Sequence, residues 1–412
     1  MSWNSPSLSR LTRVICSAFL YLTVFFSGSP VLHAQEPVTP PEIWLVTYGP
    51  GDIYWQRFGH NAIWVRDAEL GLDHVFNFGF FDFDQESFFL RFLQGRLLYF
   101  SAALPAQREF SSYINQNRSI RAQRLSLSPD QSLRLLEYLV EEVQPENRDY
   151  LYDYYTNNCS TRIRDALDLA LDGGLASGFM SVEGGQNWRD QTRRLTIGDF
   201  WLYLGLEMVL GAPIDQPISR WDEFFIPAEI AEAVTTMEHP ATDGLQPLVL
   251  EDVMLYESTL EPPPLEPGTW WPRYLLLGLG VLAAAWLACR LFEGLQAILL
   301  VRSWLLLAGL AGAAMVFFWF FTDHAAARIN LNLLVFNPLW WVVLPWKQQR
   351  AAGVFLLSAS ILALIMTLLP PYQYTLDVLA AFLPLNIASG LVLFRRQSRQ
   401  ASPPGAPATG DR

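Results

Sequence analysis

Cys159 carries the clearest chemical signal in this sequence. It lies within YYTNNCSTRIRDALD (154–168) and is one of three cysteines in the chain. Cys16 falls in an apolar N-terminal run and Cys289 in a predicted membrane helix, so the domain predicted to be exported offers no disulfide partner. An unpaired cysteine in an oxidising compartment is buried, paired between chains or used chemically. A core residue and a nucleophile are both open interpretations at this point.

The residues that flank Cys159 favour a nucleophile. Ile163, Leu167 and Ala170 follow it with helical spacing. Asn158, directly before it, is a residue type that caps helices. Cys159 is therefore predicted to lie in the first turn of a helix, where the backbone N–H groups and the helix dipole favour an anion. We expect this placement to lower the pKa of the thiol.

A thiolate nucleophile needs a proton carrier, and histidine is the usual one. Between the N-terminal run and the membrane segments the sequence has three histidines, His60, His74 and His239. His239 lies in the turn-like stretch MEHPATDG and is predicted to be a surface residue. His60 opens a predicted strand, and Gly59 before it permits a close approach of the backbone. We therefore assign the general-base role to His60.

A third group should orient the imidazole of His60. His74 and Asn77 lie on the next predicted strand and point to opposite faces, because their separation along the strand is odd. An asparagine oxygen accepts the imidazole N–H without adding a charge, whereas a second histidine would add sensitivity to pH. The residues alone leave both candidates open.

The segments that must position these residues predict an α+β domain. Alternating β-branched and aromatic residues predict strands, and apolar residues with helical spacing predict helices. The predicted strands are 43–49, 60–67 and 74–81, and the predicted helices are 84–95 and 128–143. Ser128 and Pro129 are typical of the first positions of the second helix.

Composition divides the chain into an exported part and a membrane part. An N-terminal basic region, an apolar core and a plausible cleavage position after Ala34 indicate a signal peptide or an uncleaved anchor. The predicted organisation is a signal or anchor at 1–34, an exported catalytic domain at 35–259, a Pro-rich linker at 260–273, a membrane bundle at 274–396 and a disordered tail at 397–412.

The membrane part contains five apolar runs. They fall at about 274–292, 303–321, 331–346, 351–369 and 376–394. The third run is short and contains Pro338, so it is either a short span or a re-entrant segment. Lys347 and Arg350 share a side with the other basic clusters only if this run crosses. We therefore expect five spans, with the preceding domain outside the cytoplasm.

Charge and residue spacing exclude several classes of function. The formal net charge of -12 argues against nucleic acid as a partner, because phosphate binding requires clustered Lys and Arg. The sequence contains neither an HExxH motif nor paired Cys/His spacing, so neither a metal nor another cofactor is predicted.

Three separated motifs resemble a known family. They are YGPGDIYWQRFGHNAIWV, FNFGFFDF and YDYYTNNCSTRIRD, and NLLVFNPL in the membrane part adds to them. The order of a histidine, a polar strand residue and a cysteine at a helix start resembles the circularly permuted papain-like fold of NlpC proteins and lecithin:retinol acyltransferases. Over about residues 42–345 the chain is similar, more specifically, to the Lnb-type lipoprotein transacylases.

The resemblance implies a thiol-dependent acyltransferase of the bacterial inner membrane, with its catalytic domain on the periplasmic side. By this resemblance Cys159 matches the nucleophile, His60 the base and Asn77, rather than His74, the third residue. The implied substrates are a membrane glycerolipid ester as acyl donor and the N-terminal amine of a diacylated lipoprotein as acceptor.

A group of polar residues also falls at the predicted outer membrane interface. The residues are His324, Arg328, Asn330 and Asn332. They suit either a lipid headgroup or an ordinary polar connection between membrane segments.

Two other functions remain open. A cell-wall amidase or peptidase of the NlpC type uses the same residue types and transfers the acyl group to water. A non-enzymatic exported binding domain would keep Cys159 buried. Thiol labelling separates the binding domain from the two enzymes, because a nucleophile must be accessible and reactive.

Overall fold

The computed structural model of the protein describes residues 40–241, 244–292, 297–343, 349–369 and 373–400. The predicted signal or anchor at 1–34 and the end of the predicted tail, from residue 401, lie outside these residues. The last described helix runs to Gln400, four residues into the segment predicted to be a disordered tail.

The exported domain is built on an antiparallel sheet. Its strands are β1 (Glu42–Tyr48), β2 (His60–Asp67), β3 (Leu72–Phe81), β4 (Leu98–Pro105), β5 (Ile120–Leu125), β6 (Asp149–Leu151) and β9 (Val249–Tyr256). They pair in the order β6-β4-β3-β2-β1-β5-β9, and β7 (Glu238–Ala241) and β8 (Gly244–Pro247) form a separate ribbon. Strands β2 and β3 pair in antiparallel fashion through a loop that contains Gly71.

Helices follow the strands in this domain and cover the sheet. They are α1 (Phe88–Gln94), α2 (Ala106–Asn115), α3 (Pro129–Glu142), α4 (Cys159–Ala170), α5 (Gly174–Phe179), α6 (Trp188–Thr196), α7 (Phe200–Val209), α8 (Arg220–Glu223) and α9 (Pro227–Thr236). The predicted cap of α3 is confirmed, since Ser128 and Gln131 form a capping box ahead of Pro129.

The two faces of the sheet pack against different helices. Side chains alternate along β1, so Ile43 and Leu45 join a core with α3, α4 and α9, while Trp44, Val46 and Tyr48 face α2. The domain is therefore α+β, with α4 on one face of the sheet and α2 on the other.

His239 differs from its predicted surface position. It lies in β7 with 4% of its surface exposed, because the β7–β8 ribbon folds back onto the chain that follows β5. The Ser126 N–H donates to the Leu248 carbonyl at this contact. The turn-like local sequence around His239 gave no sign of this packing.

The linker ahead of the membrane part lies against α6 and the residues that precede it. Gln186 and Arg193 donate side-chain hydrogen bonds to the carbonyls of Leu265 and Gly268. The following helices are α10 (Trp271–Leu291), α11 (Ala297–Phe321), α12 (Trp340–Val343), α13 (Gln349–Leu368) and α14 (Leu376–Gln400). Within the described part of the chain, four of them, α10, α11, α13 and α14, are long and apolar enough to span a membrane.

In the part that the structure describes, residues 331–343, the third apolar run is not one continuous helix. It contains a 3-10 turn at Leu331–Leu334 and the single turn α12. Leu331 N–H donates to Gln373 Oε1 over 2.7 Å, just before α14 and at the end of the bundle that faces the exported domain. Arg350, at the start of α13, lies at the far end, 4.6 Å from the ring of Phe394. The chain therefore passes from one end of the bundle to the other without one continuous helix.

Neighbouring helices satisfy the broken backbone of this segment. Asn386 Nδ2 donates to the Val335 carbonyl over 3.2 Å, and Asn386 Oδ1 accepts from Trp304 Nε1 over 2.8 Å. Pro338 follows, where a regular helix would require an N–H. Irregular backbone at this depth is tolerated when protein rather than lipid surrounds it, and Trp340 here is fully buried.

The polar residues after α11 join the two parts of the protein. Asn330 Nδ2 donates to the Met208 and Val209 carbonyls, and Asn332 Nδ2 donates to the Glu207 carbonyl over 2.8 Å. These contacts satisfy carbonyls in the last turn of α7. Both asparagines are thus parts of a structural connection, whereas the side chain of Arg328 is exposed.

Candidate active site

Cys159 occupies the first position of α4, as the sequence predicts. Asn158 is the N-cap, and its Oδ1 accepts from Thr161 N–H over 2.9 Å, while Thr161 Oγ1 accepts from Asn158 N–H over 2.8 Å. Asn158 Nδ2 also donates to the Phe225 carbonyl over 2.9 Å. Asn158 is therefore bonded both to Thr161 and to the Phe225 carbonyl. These bonds fix the backbone that carries the thiol. Cys159 itself is half-buried.

His60 and Asn77 form a direct hydrogen bond. His60 Nε2 lies 3.0 Å from Asn77 Oδ1, and Asn77 Nδ2 donates to the Val75 carbonyl over 3.2 Å. The second bond points the amide oxygen towards the ring, so Nε2 carries the proton and Nδ1 of the neutral imidazole is free to accept one. Of the two candidates on β3, Asn77 contacts His60, whereas His74 pairs in register with Val65 further along the strands.

Gly79 brings the thiol close to the sheet. The pairing of β3 with β4 shifts register between Asn77 and Phe80, and Gly79 lies in this irregularity with φ of 100°. A Cβ at this position would lie 3.3 Å from Cβ of Cys159. A side chain would therefore be strained and crowded there. An isolated glycine within the strand pattern FNFGFF was the available signal for this close approach.

Three backbone N–H groups act on the sulfur of Cys159 and favour its anionic form. They come from Asn61, Ser160 and Cys159 itself. Asn61 is the residue after His60, and its side chain is locked by a bond from Ser160 Oγ (2.8 Å) and a bond to Thr47 Oγ1 (2.8 Å). The start of β2 and the start of α4 thus meet at the thiol and present fixed donors to an anion.

Burial decides the protonation state of the pair. It raises the pKa of the Cys159 thiol above its ordinary value, and the N–H groups and the charge of Arg118 only partly oppose it. Burial also lowers the pKa of His60 to about 4, against the effect of its hydrogen bond to Asn77. The expectation of a depressed thiol pKa is therefore wrong for this structure. Burial thus favours a neutral thiol and a neutral imidazole before substrate binds.

Two charged residues near the site were not found from the sequence. Arg118 is 4% exposed, lies 4.7 Å above the ring of Tyr113 and has an Nη2 group with no partner among the described residues. Glu109, on α2, is buried against Asn77 and Tyr48, and burial raises its pKa to about 7. They lie 41 and 32 residues from Asn77, and a single sequence gives no sign of that proximity.

Tyrosines form the other wall around Cys159. The hydroxyl of Tyr150 lies 4.0 Å from the point where a Cβ of Gly79 would be, and it has no partner among the residues that the structure describes. Burial raises the pKa of Tyr150 and Tyr152, and the thiolate form of Cys159, when present, raises it further. The site therefore combines a thiol, an imidazole with its hydrogen-bond partner, and two donor groups, on Arg118 and Tyr150, that have no partner among the described residues.

Comparison with known families identifies both parts of the chain. Residues 33–189 match the model of the Lnb N-terminal periplasmic domain, and residues 266–400 match that of the Lnb transmembrane domain. The chain belongs to the Lnb family. It is a multi-pass inner-membrane protein with its N-terminal domain on the periplasmic side, and membership indicates an enzyme of lipoprotein maturation. No curated protein and no solved structure matches the chain.

Proposed function

We propose that this member of the Lnb family is a cysteine acyltransferase. It moves an acyl chain from a glycerolipid ester to an amine, the N-terminus of a diacylated lipoprotein, through a thioester on Cys159. Two observations carry the proposal: Cys159 lies at a capped helix start where the N–H of Asn61, the residue after His60, acts on its sulfur, and His60 is hydrogen-bonded to Asn77. This is the arrangement that an activated thiol nucleophile needs.

The first half of the reaction forms the thioester. His60 takes the proton of the Cys159 thiol, and the sulfur attacks the ester carbonyl. The tetrahedral intermediate collapses, the bond from the carbonyl carbon to the glycerol oxygen breaks, and His60 returns the proton to that oxygen. Asn77 accepts the other ring N–H throughout and keeps the imidazole oriented.

The second half transfers the acyl chain to the amine. The amine nitrogen attacks the thioester, a proton passes from it to His60, and the carbon–sulfur bond breaks. His60 then returns the proton to the sulfur. In both halves the developing oxyanion is stabilised by backbone N–H groups at the start of α4 and β2, and by the hydroxyl of Tyr150.

The neutral resting pair fits this chemistry. The half-buried thiol and imidazole become an ion pair only as substrate enters, and the charge of Arg118 then stabilises the thiolate. The chain order His60, Asn77 and Cys159 also fits a permuted papain-like domain, and we propose that fold relationship as well. Hydrogen bonds from Asn330 and Asn332 to carbonyls of α7 hold the domain against the membrane part, which favours a lipid ester over a cell-wall peptide as acyl donor.

Mass spectrometry of a defined reaction tests the proposal. The purified full-length protein is incubated with a diacylated lipopeptide, with Cys159→Ala as control. Transfer within one lipopeptide molecule leaves its mass unchanged. It makes the N-terminal amine unreactive and frees one glycerol hydroxyl. Release of fatty acid with the amine still reactive would reject transfer in favour of hydrolysis. An unchanged lipopeptide would reject this substrate class altogether.

A further inference from the structure

Helix α1 exposes an apolar surface that a water-soluble domain would bury. Its sequence is FFLRFLQ, and none of its seven residues is buried. Phe89 is 84% exposed, and Leu90, Phe92 and Leu93 are also exposed. A helix at an aqueous surface turns its apolar face to the core, and a contiguous exposed patch marks an interaction site. Exposure of this apolar face to water is therefore unfavourable.

The position of α1 identifies what covers it. The Asp323 N–H donates to the Gln94 carbonyl over 2.8 Å, and His324 Nε2 lies 3.0 Å from the Phe92 carbonyl. Arg96 forms an ion pair with the same Asp323 over 2.5 Å. These contacts fix the end of α1 to the end of α11, directly after the membrane-spanning segment.

The apolar surface of α1 continues onto the membrane helix. Phe320 and Phe321, in the last turn of α11, are 65% and 70% exposed. Those rings lie at the boundary of the hydrocarbon layer on the periplasmic side, because α11 spans it. The exposed side chains of α1 thus lie at the level of the periplasmic leaflet. They continue the surface of α11 that faces lipid.

We propose that α1 is inserted in the periplasmic leaflet of the inner membrane, with Phe83 and the exposed side chains of the helix among the lipid acyl chains. The occupant of this surface is bilayer lipid. Arg96 and Asp323 lie at the headgroup level, where charged side chains flank interfacial helices.

Aromatic rings lead from α1 towards Cys159. Phe88 packs on Phe83 (5.2 Å between ring centroids), Phe83 on Phe81 (4.9 Å) and Phe81 on Tyr99 (5.3 Å). Gly79, two residues before Phe81, lies against Cys159. An acyl chain that leaves the bilayer at α1 would follow this row to the thiol. This second part rests on the proposed function; the insertion itself does not.

Fluorescence quenching tests the insertion without any need for activity. Phe89→Cys is labelled with an environment-sensitive dye in a variant in which Cys16, Cys159 and Cys289 are serine. The protein is reconstituted in vesicles of phosphatidylethanolamine and phosphatidylglycerol with nitroxide-labelled phosphatidylcholine. Leu70→Cys is the matched control. Leu70 is 71% exposed and lies in the loop between β2 and β3, whereas α1 follows the other end of β3.

We expect nitroxide lipid to quench the dye at residue 89 about twofold or more, and to leave the dye at residue 70 unaffected. Equal quenching of both dyes by aqueous iodide, with no effect of nitroxide lipid at residue 89, would overturn the insertion. Because Cys159 is absent, this result is independent of whether the acyltransferase proposal holds.

The role in substrate access has its own test in the active protein. Phe89→Glu should lower the rate with a bilayer-embedded acyl donor about tenfold, and leave the rate with a short-chain, water-soluble ester within about twofold. Unchanged rates with both donors would reject the access role. Equal losses with both would show damage to the site instead, and would reject it too.

Discussion

Arg189 and Arg118 are both buried, yet their surroundings differ. Arg189, 1% exposed, donates to the carboxylates of Asp215 and Glu207 and to two backbone carbonyls. Arg118, 4% exposed, donates through Nε to one backbone carbonyl, and its Nη2 has no partner among the described residues. The first arginine joins α6 to the end of α7 and to the segment that follows it. The second lies beside the thiol.

The number of hydrogen bonds that each buried arginine makes indicates whether its role is structural or functional. A buried charge whose hydrogen bonds are all made stabilises one arrangement, and a buried donor without a partner is costly unless something else binds it. The hydroxyl of Tyr150, near Cys159, likewise has no hydrogen-bond partner among the described residues. The incomplete hydrogen bonding in the corner between β3 and α4 is what a site for a developing anion requires.

Removal of the reacting groups has the largest expected effect. Cys159→Ala and His60→Ala should each lower acyl transfer by roughly 10³-fold or more, because they remove the nucleophile and its base. The melting temperature should stay near that of the wild-type protein. Cys289→Ala, in α10, is the matched control and should keep full activity. Substantial transfer by Cys159→Ala would place the chemistry elsewhere.

Substitution of the fully bonded arginine should act on stability. Arg189→Met leaves Glu207 and Asp215 buried without their counter-charge, and breaking such a pair costs about 3–5 kcal/mol of unfolding free energy. Thermal unfolding in detergent measures it. Arg66→Ala removes an exposed ion pair with Glu42 and should cost about 0–1 kcal/mol. Equal stability of the two variants would contradict the comparison.

The arginine with the free donor should act on activity. Arg118→Gln is expected to lower kcat/KM about 10²-fold, the size expected for loss of one electrostatic contact to a transition state. Its cost in stability should be about 1 kcal/mol, for the one hydrogen bond that it makes. Arg118→Lys, which keeps the charge, should recover part of the rate. A variant with normal kcat/KM would show that Arg118 is only structural.

The partner of the imidazole should have a smaller effect. Asn77→Ala is expected to lower kcat about tenfold and leave measurable transfer, since Asn77 orients His60 and makes no bond to substrate. His74→Ala is the control from the same strand and should be close to wild type. A normal Asn77 variant with an inactive His74 variant would reverse the assignment.

The smallest effect is a shift in titration. Alkylation of Cys159 by iodoacetamide requires the thiolate, so its rate rises with pH through the pKa of the thiol. Because burial raises that pKa, the midpoint should lie above that of a free thiol in the same buffer. Because the pKa of His60 is about 4, the base stays neutral, and competent, down to about that pH. A midpoint below that of a free thiol would restore the thiolate–imidazolium pair as the resting state.

Local sequence determined the parts of the site that depend on neighbours along the chain. Asn158 and Thr161 form the cap that places Cys159 in the first helical turn, and both act within four residues. The alternation of side chains along a strand is enough to place His74 and Asn77 on opposite faces of β3. The apolar runs located the membrane part, because length and hydropathy suffice for that.

The third apolar run shows where local sequence stops being sufficient. Its composition indicated a membrane segment, and Pro338 indicated an interruption. Whether this run forms one helix or an interrupted segment depends on Asn386. Its side chain, on another helix, donates to the Val335 carbonyl. That contact joins residues 51 apart in the sequence.

Only the tertiary structure decided how the site is charged and what surrounds it. The pKa of Cys159 depends on burial by distant segments, which outweighs the helix terminus that the sequence revealed. Arg118 and Tyr150 reach the thiol through sheet pairing and helix packing, and the exposure of Phe89 depends on where α1 is fixed to α11. Capping and strand alternation are set within a few residues of the chain, whereas desolvation and unsatisfied donors are properties of the packed whole.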